Sequence, residues 1–402
     1  MSLDPALIHQ SFATVERRAE QASRYFYTHL FHHNPGVRAM FPEQMDEQRD
    51  RLFMALGHAA KHVADTDALV TYLRGLGFDH RKFGARPEHY PAVGRSLLAT
   101  LAFFCGEAWT PQVEASWVAA YGVVTEVMTA AAAEADAAGL PEYWDADVVA
   151  HERRSPDIAV VTVRPRLPYP FRAGQFLTVT APQVPQVWRS YTIANAPRRD
   201  NTLDLHIRRV PGGLLSGALV DGLRVGDQVR LGPPRGEVGL VGDGSAGLLC
   251  VVGGTGWATA KALVDQMSRM PGGRPVRVVM SARSAEDLYD LGELEILAKE
   301  YPWLELDVVV PDSVFEDRTR AALLDRVRAS RDVFERQIVL SGPGGMIDTV
   351  RDLLHGLGVP AQAVHYDAIA HSVHADRPSR AAEWFLMDHD IPWVNGANRP
   401  GA

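Results

Sequence analysis

The strongest constraint on the fold is that the hydrophobic period changes twice along this chain of 402 residues. Up to about residue 140, apolar side chains recur every three or four positions, as in Leu52, Leu56, Ala59 and Val63. That spacing predicts amphipathic helices, for example over 11–31, 46–64, 90–104 and 111–138. The breaks fall at Asn34-Pro35-Gly36, Phe41-Pro42 and Gly139-Leu140-Pro141. Between about 147 and 243 the pattern becomes short alternating or β-branched runs: 158–163, 175–180, 203–208 and 228–231. Pro- and Gly-rich turns separate them, so a small antiparallel β-barrel is expected. From about 247 buried strands (248–252, 276–280, 304–310, 337–340) alternate with helices (258–270, 293–300, 318–329, 346–356). Such alternation predicts a parallel sheet covered by helices. The expected multidomain organisation is therefore an all-α domain over 1–140, a barrel over 147–243, an α/β domain over 247–374 and a tail over 375–402. Trp384, Phe385 and Trp393 make that tail too aromatic for a free linker. It is expected to pack back on the body.

Composition narrows the partners. A net charge of −8 disfavours a general nucleic-acid binder. No apolar run approaches the ~20 residues that span a bilayer. Cys105 and Cys250 both sit in apolar runs and read as buried, reduced thiols, which fits a cytoplasmic location. The N-terminus lacks a basic start followed by an apolar core, so no signal peptide is expected.

Two segments carry redox-cofactor chemistry. Gly253-Gly254-Thr255-Gly256 closes one strand and opens a helix. Glycine permits close backbone approach there, and a helix N-terminus favours a phosphate. Ser341-Gly342-Pro343-Gly344-Gly345 repeats the arrangement at a later strand end. Any α/β domain carries glycine turns, but two of them at strand ends point to a dinucleotide. Arg189-Ser190-Tyr191-Thr192 is either an ordinary strand end or a flavin cradle. In the second reading Arg189 meets the pyrophosphate, Tyr191 stacks on the isoalloxazine and Thr192 donates to a ring nitrogen. Gly212-Gly213-Leu214-Leu215-Ser216 would then offer main-chain N–H groups to the phosphates. Arg283, after the next strand, is placed to hold a 2′-phosphate or to cap a helix.

Residues 147 to about 370 resemble the ferredoxin–NADP reductase superfamily. Its Arg-x-Tyr-Ser/Thr appears as Arg189, Tyr191 and Thr192, with Ser190 between them and Phe176 counted in the same cofactor site. Its Gly-x-Gly-x-x-Pro appears as Gly254, Gly256 and Thr259, without the proline. Ser341-Gly342-Pro343 matches its later turn. His365-Tyr366-Asp367-Ala368-Ile369 matches a C-terminal segment in which Ile369 replaces the usual aromatic flavin shield.

Of the 15 histidines, His58 and His62 stand at i, i+4; they read as a solvated helix face rather than a shared metal site. His80 precedes a break and a new helix, so its ring can face a pocket between helices. Tyr90, ten residues on, is placed to bond the other ring nitrogen. This segment resembles the globin of flavohaemoglobins, and the resemblance spans residues 1 to about 370. It implies that His80 is the proximal iron ligand and Tyr90 its supporting tyrosine. Tyr27 and Gln48 would form the distal pair that holds oxygen. Leu52 would lie one turn beyond Gln48, and Phe41 against the porphyrin. Two residues depart from the family: Ala132 replaces a glutamate that bonds the proximal pair, and Asp79 replaces a lysine before the histidine. Glu134 is about 200° around the helix from Ala132 and does not substitute for it. The electron push on iron is expected to weaken.

The resemblance implies haem b, FAD and NADH or NADPH as cofactors, with NADH favoured, O₂ and NO as substrates, and nitric oxide dioxygenase activity. A monomer is the expected state. The alternatives are a diverged haem–flavin reductase or oxidase serving another acceptor, and a non-enzymatic gas sensor.

Overall fold

The computed structural model describes residues 3–241, 246–270, 274–310, 316–330 and 333–366, the first few residues of 316–330 by backbone alone. Among the described residues the chain divides into two compact units, with the boundary in sequence between Tyr143 and Trp144.

The first unit is built of helices α1 (Pro5–Glu16), α2 (Ala19–His33), α3 (Asp46–Lys61), α4 (Thr66–His80), α5 (Tyr90–Cys105) and α6 (Pro111–Ala137). Asp4 caps α1 by accepting from the Ala6 and Leu7 N–H groups, and Pro5 supplies a preset first-turn φ. The helix expected over 11–31 is two helices. Arg18 leaves the helical region, and its guanidinium donates to the Phe104 carbonyl at 2.6 Å and lies over the Phe104 ring. That tertiary contact outweighs an unbroken local period. Helix α4 lies within the stretch expected to be helical, although Gly75 and Gly77 dilute its period and leave its bounds unmarked in the sequence. Asp65 caps it through the Ala68 N–H. The glycine at 77 lets α4 and α6 touch: a Cβ there would lie 2.3 Å from the Met128 carbonyl oxygen. Arg81, 2% exposed, ties the end of α4 to the end of α6. It donates to Asp136 at 2.7 Å and to the Leu140 carbonyl at 2.5 Å. Those contacts satisfy a carbonyl beyond the helix terminus.

The second unit begins with six antiparallel strands, β1 (Trp144–Ser155), β2 (Ile158–Pro165), β3 (Phe176–Thr180), β4 (Arg189–Thr192), β5 (Leu203–Arg208) and β6 (Gln228–Leu231). Their order is β4-β3-β6-β1-β2-β5, and an Ile193–Leu205 bridge brings the two edges together. The sheet thus curls into the expected barrel, filled by Leu177, Val179, Leu203, Leu205, Ile207 and their neighbours. A one-turn helix, α7 (Leu214–Gly217), follows β5.

A parallel sheet comes next: β7 (Gly247–Gly253), β8 (Val276–Ser281), β9 (Leu304–Val309), β10 (Arg336–Ser341) and β11 (Val364–Tyr366), in the order β11-β10-β7-β8-β9. Helices α8 (Trp257–Ser268), α9 (Leu291–Glu300), α10 (Glu316–Arg328) and α11 (Gly344–Gly356) connect the strands. Separate clusters pack on the two faces, one around Trp257 and Leu263, the other around Val327 and Val350. β7 and β10 are neighbours, so the two glycine turns at their C-terminal ends lie side by side. No described helix is long and apolar enough to cross a membrane. Both cysteines are buried and free.

Candidate functional site

In the helical unit, Tyr27 and Gln48 come together. The Gln48 Nε2 donates to the Tyr27 hydroxyl at 3.2 Å, and that hydroxyl donates in turn to the Gln48 main-chain carbonyl at 3.3 Å. Burial pushes the Tyr27 phenol up to about 12, so it keeps its proton. Phe41 meets the Tyr27 ring edge-on, with centroids 5.5 Å apart. Leu52 follows on α3, and Phe41 and Leu52 are half-buried apolar groups packed beside the core that holds Tyr27. A polar pair is thus set beside an apolar, partly open face.

His80 ends α4, and its Nδ1 lies 2.7 Å from the Leu76 carbonyl oxygen one turn back. A carbonyl only accepts, so Nδ1 carries the proton and Nε2 keeps a lone pair. That is the tautomer a metal needs, and burial lowers the ring's tendency to protonate. Among the described residues no hydrogen bond joins Tyr90 to His80. Tyr90 packs against Leu69, Tyr72, Leu73 and Met128, and its main-chain carbonyl accepts from the Tyr121 hydroxyl at 2.7 Å. Ala132 brings no carboxylate. Glu134 is held by Arg74, and Asp79 pairs with Lys82 at 3.1 Å. His58 departs from the expected solvated face. It is 4% exposed, with the Tyr72 and His62 rings at 4.2 and 4.1 Å.

In the barrel, β3 and β4 pair Phe176 with Thr192 and Leu177 with Tyr191. Successive strand residues face opposite ways. Tyr191 accordingly packs beside the barrel core, while Thr192, the last residue of β4, is buried opposite Phe176. Arg189 and Ser190 are half-buried, and the Arg189 guanidinium donates to the Trp188 carbonyl at 3.0 Å. Gly212 turns with φ +73° into Gly213 and α7. The Ser216 hydroxyl is used locally, accepting from the Val210 N–H at 3.0 Å.

The two glycine turns pack on each other. Gly254, Thr255 and Gly256 form one 3₁₀ turn between β7 and α8. A Cβ on Gly256 would lie 2.2 Å from the Ser341 carbonyl oxygen, so only glycine fits. Gly342 adopts φ +149° against the Gly253 main chain, and Pro343 precedes α11. Thr259, where the family has proline, places its hydroxyl 2.9 Å from the Ser341 hydroxyl. Asp367, Ile369 and the tail 375–402 lie outside the described residues.

Arg283 caps no helix. It is exposed and pairs with Asp287 at 3.3 Å. Asp287 also holds Arg208 at 2.9 Å, and Arg208 reaches Asp157 at 2.8 Å. Beside them Tyr289 meets His206 Nδ1 at 2.7 Å, and the Trp257 indole N–H donates to Asp290 at 3.0 Å. Lys261 bonds the same carboxylate oxygen at 3.3 Å. A small cleft here is lined by Gly254, Trp257, Met280 and Asp287–Asp290. Sequence reasoning missed this junction of barrel and α/β sheet. Its members come from β5, α8, β8 and the turns between elements, and only the i, i+4 spacing of Arg283 and Asp287 hinted at it.

The globin family model matches residues 24–128, and the model described as oxidoreductase FAD-binding domain matches 145–239. A flavohemoprotein of Chromobacterium violaceum is 26% identical over 393 residues, covering 90% of this chain and 96% of the relative. One from Bordetella pertussis is 26% identical over 390 residues, with the same coverages of 90% and 96%. The solved flavohemoglobin from Malassezia yamatoensis, described with bound FAD and heme, shares the fold. Its TM-score is 0.71 at 18% identity, over 90% of this chain and 97% of that one. Both halves are thus matched in the same order, and the chain is similar to flavohemoproteins over nearly its whole length.

Proposed function

We propose that this chain is an NAD(P)H-dependent oxidoreductase that turns NO and O₂ into nitrate, a nitric oxide dioxygenase. The Tyr27–Gln48 pair carries the reading. A phenol that keeps its proton and a carboxamide bonded to it suit a small polar diatomic ligand, while Phe41 and Leu52 suit a porphyrin edge. The residues fit a haem: His80 has an Nε2 lone pair available to iron, because Nδ1–H is committed to Leu76. They fit FAD, with Arg189 for the pyrophosphate, Tyr191 and Thr192 at the ring, and Gly212, Gly213 and Ser216 in the phosphate turn. They fit a nicotinamide dinucleotide at the packed turns of Gly254–Gly256 and Ser341–Pro343. When bound, the nicotinamide supplies hydride, FAD splits it into single electrons, and haem supplies the gas-binding iron. The chain's own work is positional: Gly256 and Ser341 keep the dinucleotide turn closed, and the Tyr27 hydroxyl, turned from the Gln48 main-chain carbonyl it now meets, would donate to a bound diatomic beside apolar walls.

An absorption spectrum of the purified protein should show a Soret band with flavin shoulders; a flavin-only spectrum overturns the haem assignment. Stopped-flow mixing of the reduced, oxygenated protein with NO should then give nitrate within the mixing experiment. Slow decay without nitrate overturns the dioxygenase.

One observation favours a second reading. His80 is bonded to a main-chain carbonyl and not to a carboxylate, which leaves the ligand less basic. A haem tuned this way suits a reductase serving another acceptor. NADH oxidation at equal rates with and without NO would select it.

A further inference from the structure

Near the end of α2, two residues and about 200° around the helix from Tyr27, His29 stacks on His33 one turn on, with ring centroids 4.1 Å apart and planes 28° apart. The hydrogen bonds around them settle where each ring carries its proton. His33 Nδ1 lies 2.9 Å from the His29 carbonyl oxygen. That oxygen only accepts, so His33 is protonated at Nδ1. His29 Nδ1 lies 3.0 Å from the Ser96 hydroxyl oxygen. The Ser96 hydroxyl already donates to the Ala92 carbonyl at 3.0 Å, so it accepts from His29 Nδ1–H. Both rings therefore keep the lone pair on Nε2. This is the second bond that metal-binding imidazoles make, and it fixes both rings before any ion arrives. Two histidines at i, i+4 on one helix face are the spacing that lets one ion bridge them. Ser96 is fully buried and anchors His29 from α5, while His33 is open to solvent.

We propose that His29 and His33 form a two-imidazole site for a divalent transition-metal ion, separate from the haem and flavin sites. The His32 ring meets His33 edge-on at 4.9 Å, but among the described residues no group of three or more histidines, cysteines or carboxylates is placed to hold an ion, so water completes the coordination. Nitrogen ligands select Cu²⁺, Ni²⁺ or Zn²⁺ over Mg²⁺ and Ca²⁺, and Cu²⁺ binds tightest of these. The pair at His58 and His62 has the same ring separation of 4.1 Å, but His58 is buried, so that pair takes no ion from solvent.

The test is titration of the full chain with CuCl₂ by calorimetry, with electron paramagnetic resonance of the bound copper. The expected result is a saturable site whose copper signal shows two nitrogen ligands. His33→Ala should weaken it by about tenfold or more, because one of two imidazoles is removed. His29→Gln should do the same, while His62→Ala and His32→Ala should leave it unchanged. Three results overturn the proposal: no saturable binding, unchanged binding in His33→Ala, or a loss in His32→Ala equal to that in His33→Ala. Circular dichroism of His33→Ala checks folding. That side chain is exposed, so a loss of binding in a folded variant reports the ligand itself.

Discussion

The Thr259 and Ser341 hydroxyls lie 2.9 Å apart in a buried contact that joins the two glycine turns of the α/β sheet. Thr259 stands on α8 and Ser341 at the end of β10, so one hydrogen bond spans 82 residues of sequence. The turns are held against each other by this bond and by the close approach of Gly256 to the Ser341 carbonyl.

Thr259→Val keeps the shape and removes the hydroxyl. It leaves the Ser341 Oγ buried without that partner, which costs about 1–3 kcal/mol. Urea unfolding followed by flavin fluorescence should show the loss. The Michaelis constant for NADH should rise, with the flavin spectrum unchanged. An unchanged unfolding midpoint would show that the bond contributes nothing.

Gly77→Ala places a methyl 2.3 Å from the Met128 carbonyl oxygen, so α4 must move off α6. Overpacking of this kind costs about 1–3 kcal/mol. Because His80 ends α4, the haem spectrum should shift along with the melting temperature. A destabilised variant with an unaltered Soret band would separate helix packing from the position of His80.

Tyr27→Phe removes the hydroxyl at the Tyr27–Gln48 pair and leaves the ring packed on Phe41. If the pair orients the gaseous ligand, NO consumption should fall about tenfold or more, equivalent to about 1.4 kcal/mol of lost transition-state stabilisation. Reduction of the flavin by NADH should be unaffected. Equal loss in both half-reactions would assign Tyr27 a structural role only.

His206 gives the second unit a pH dependence. Burial first, then the positive charge of Lys261 and Arg154, outweigh the opposing carboxylates of Asp290 and Asp204, and lower the imidazole from its ordinary 6.5 to about 4. The unfolded chain therefore binds the proton more readily than the folded one. Stability is full above the ordinary value and is lost as pH falls from about 6.5 towards about 4. The loss is on the order of a few kcal/mol. His206→Asn should flatten this part of the stability profile in chemical denaturation between those limits. A profile as steep as that of the parent would place the proton uptake elsewhere.

Much of the fold was legible in the chain. The period of three and four, the β-branched runs and the strand–helix alternation reflect which faces must be buried, and burial acts on every residue of an element. The glycine turns were legible for the same local reason. His80 was legible from its place before a break, although the bounds of its helix were not. By contrast, Arg18 ends α1 because of a carbonyl on α5, and no window of sequence contains both groups. His58 read as solvated because an i, i+4 pair says nothing of the Tyr72 ring packed over it from α4.

By itself, the sequence determined the order of the three structural textures and the residue types offered to haem, flavin and nicotinamide. These follow from local periodicity and side-chain chemistry. Only the tertiary structure decided which groups meet: Gln48 with Tyr27, Thr259 with Ser341, Leu76 and not Tyr90 with His80, and His206 with Tyr289. Hydrogen bonds act over about 3 Å. Apart from the single turn between Leu76 and His80, these partners stand 21, 82 and 83 residues apart, and only packing of whole elements brings them within that range.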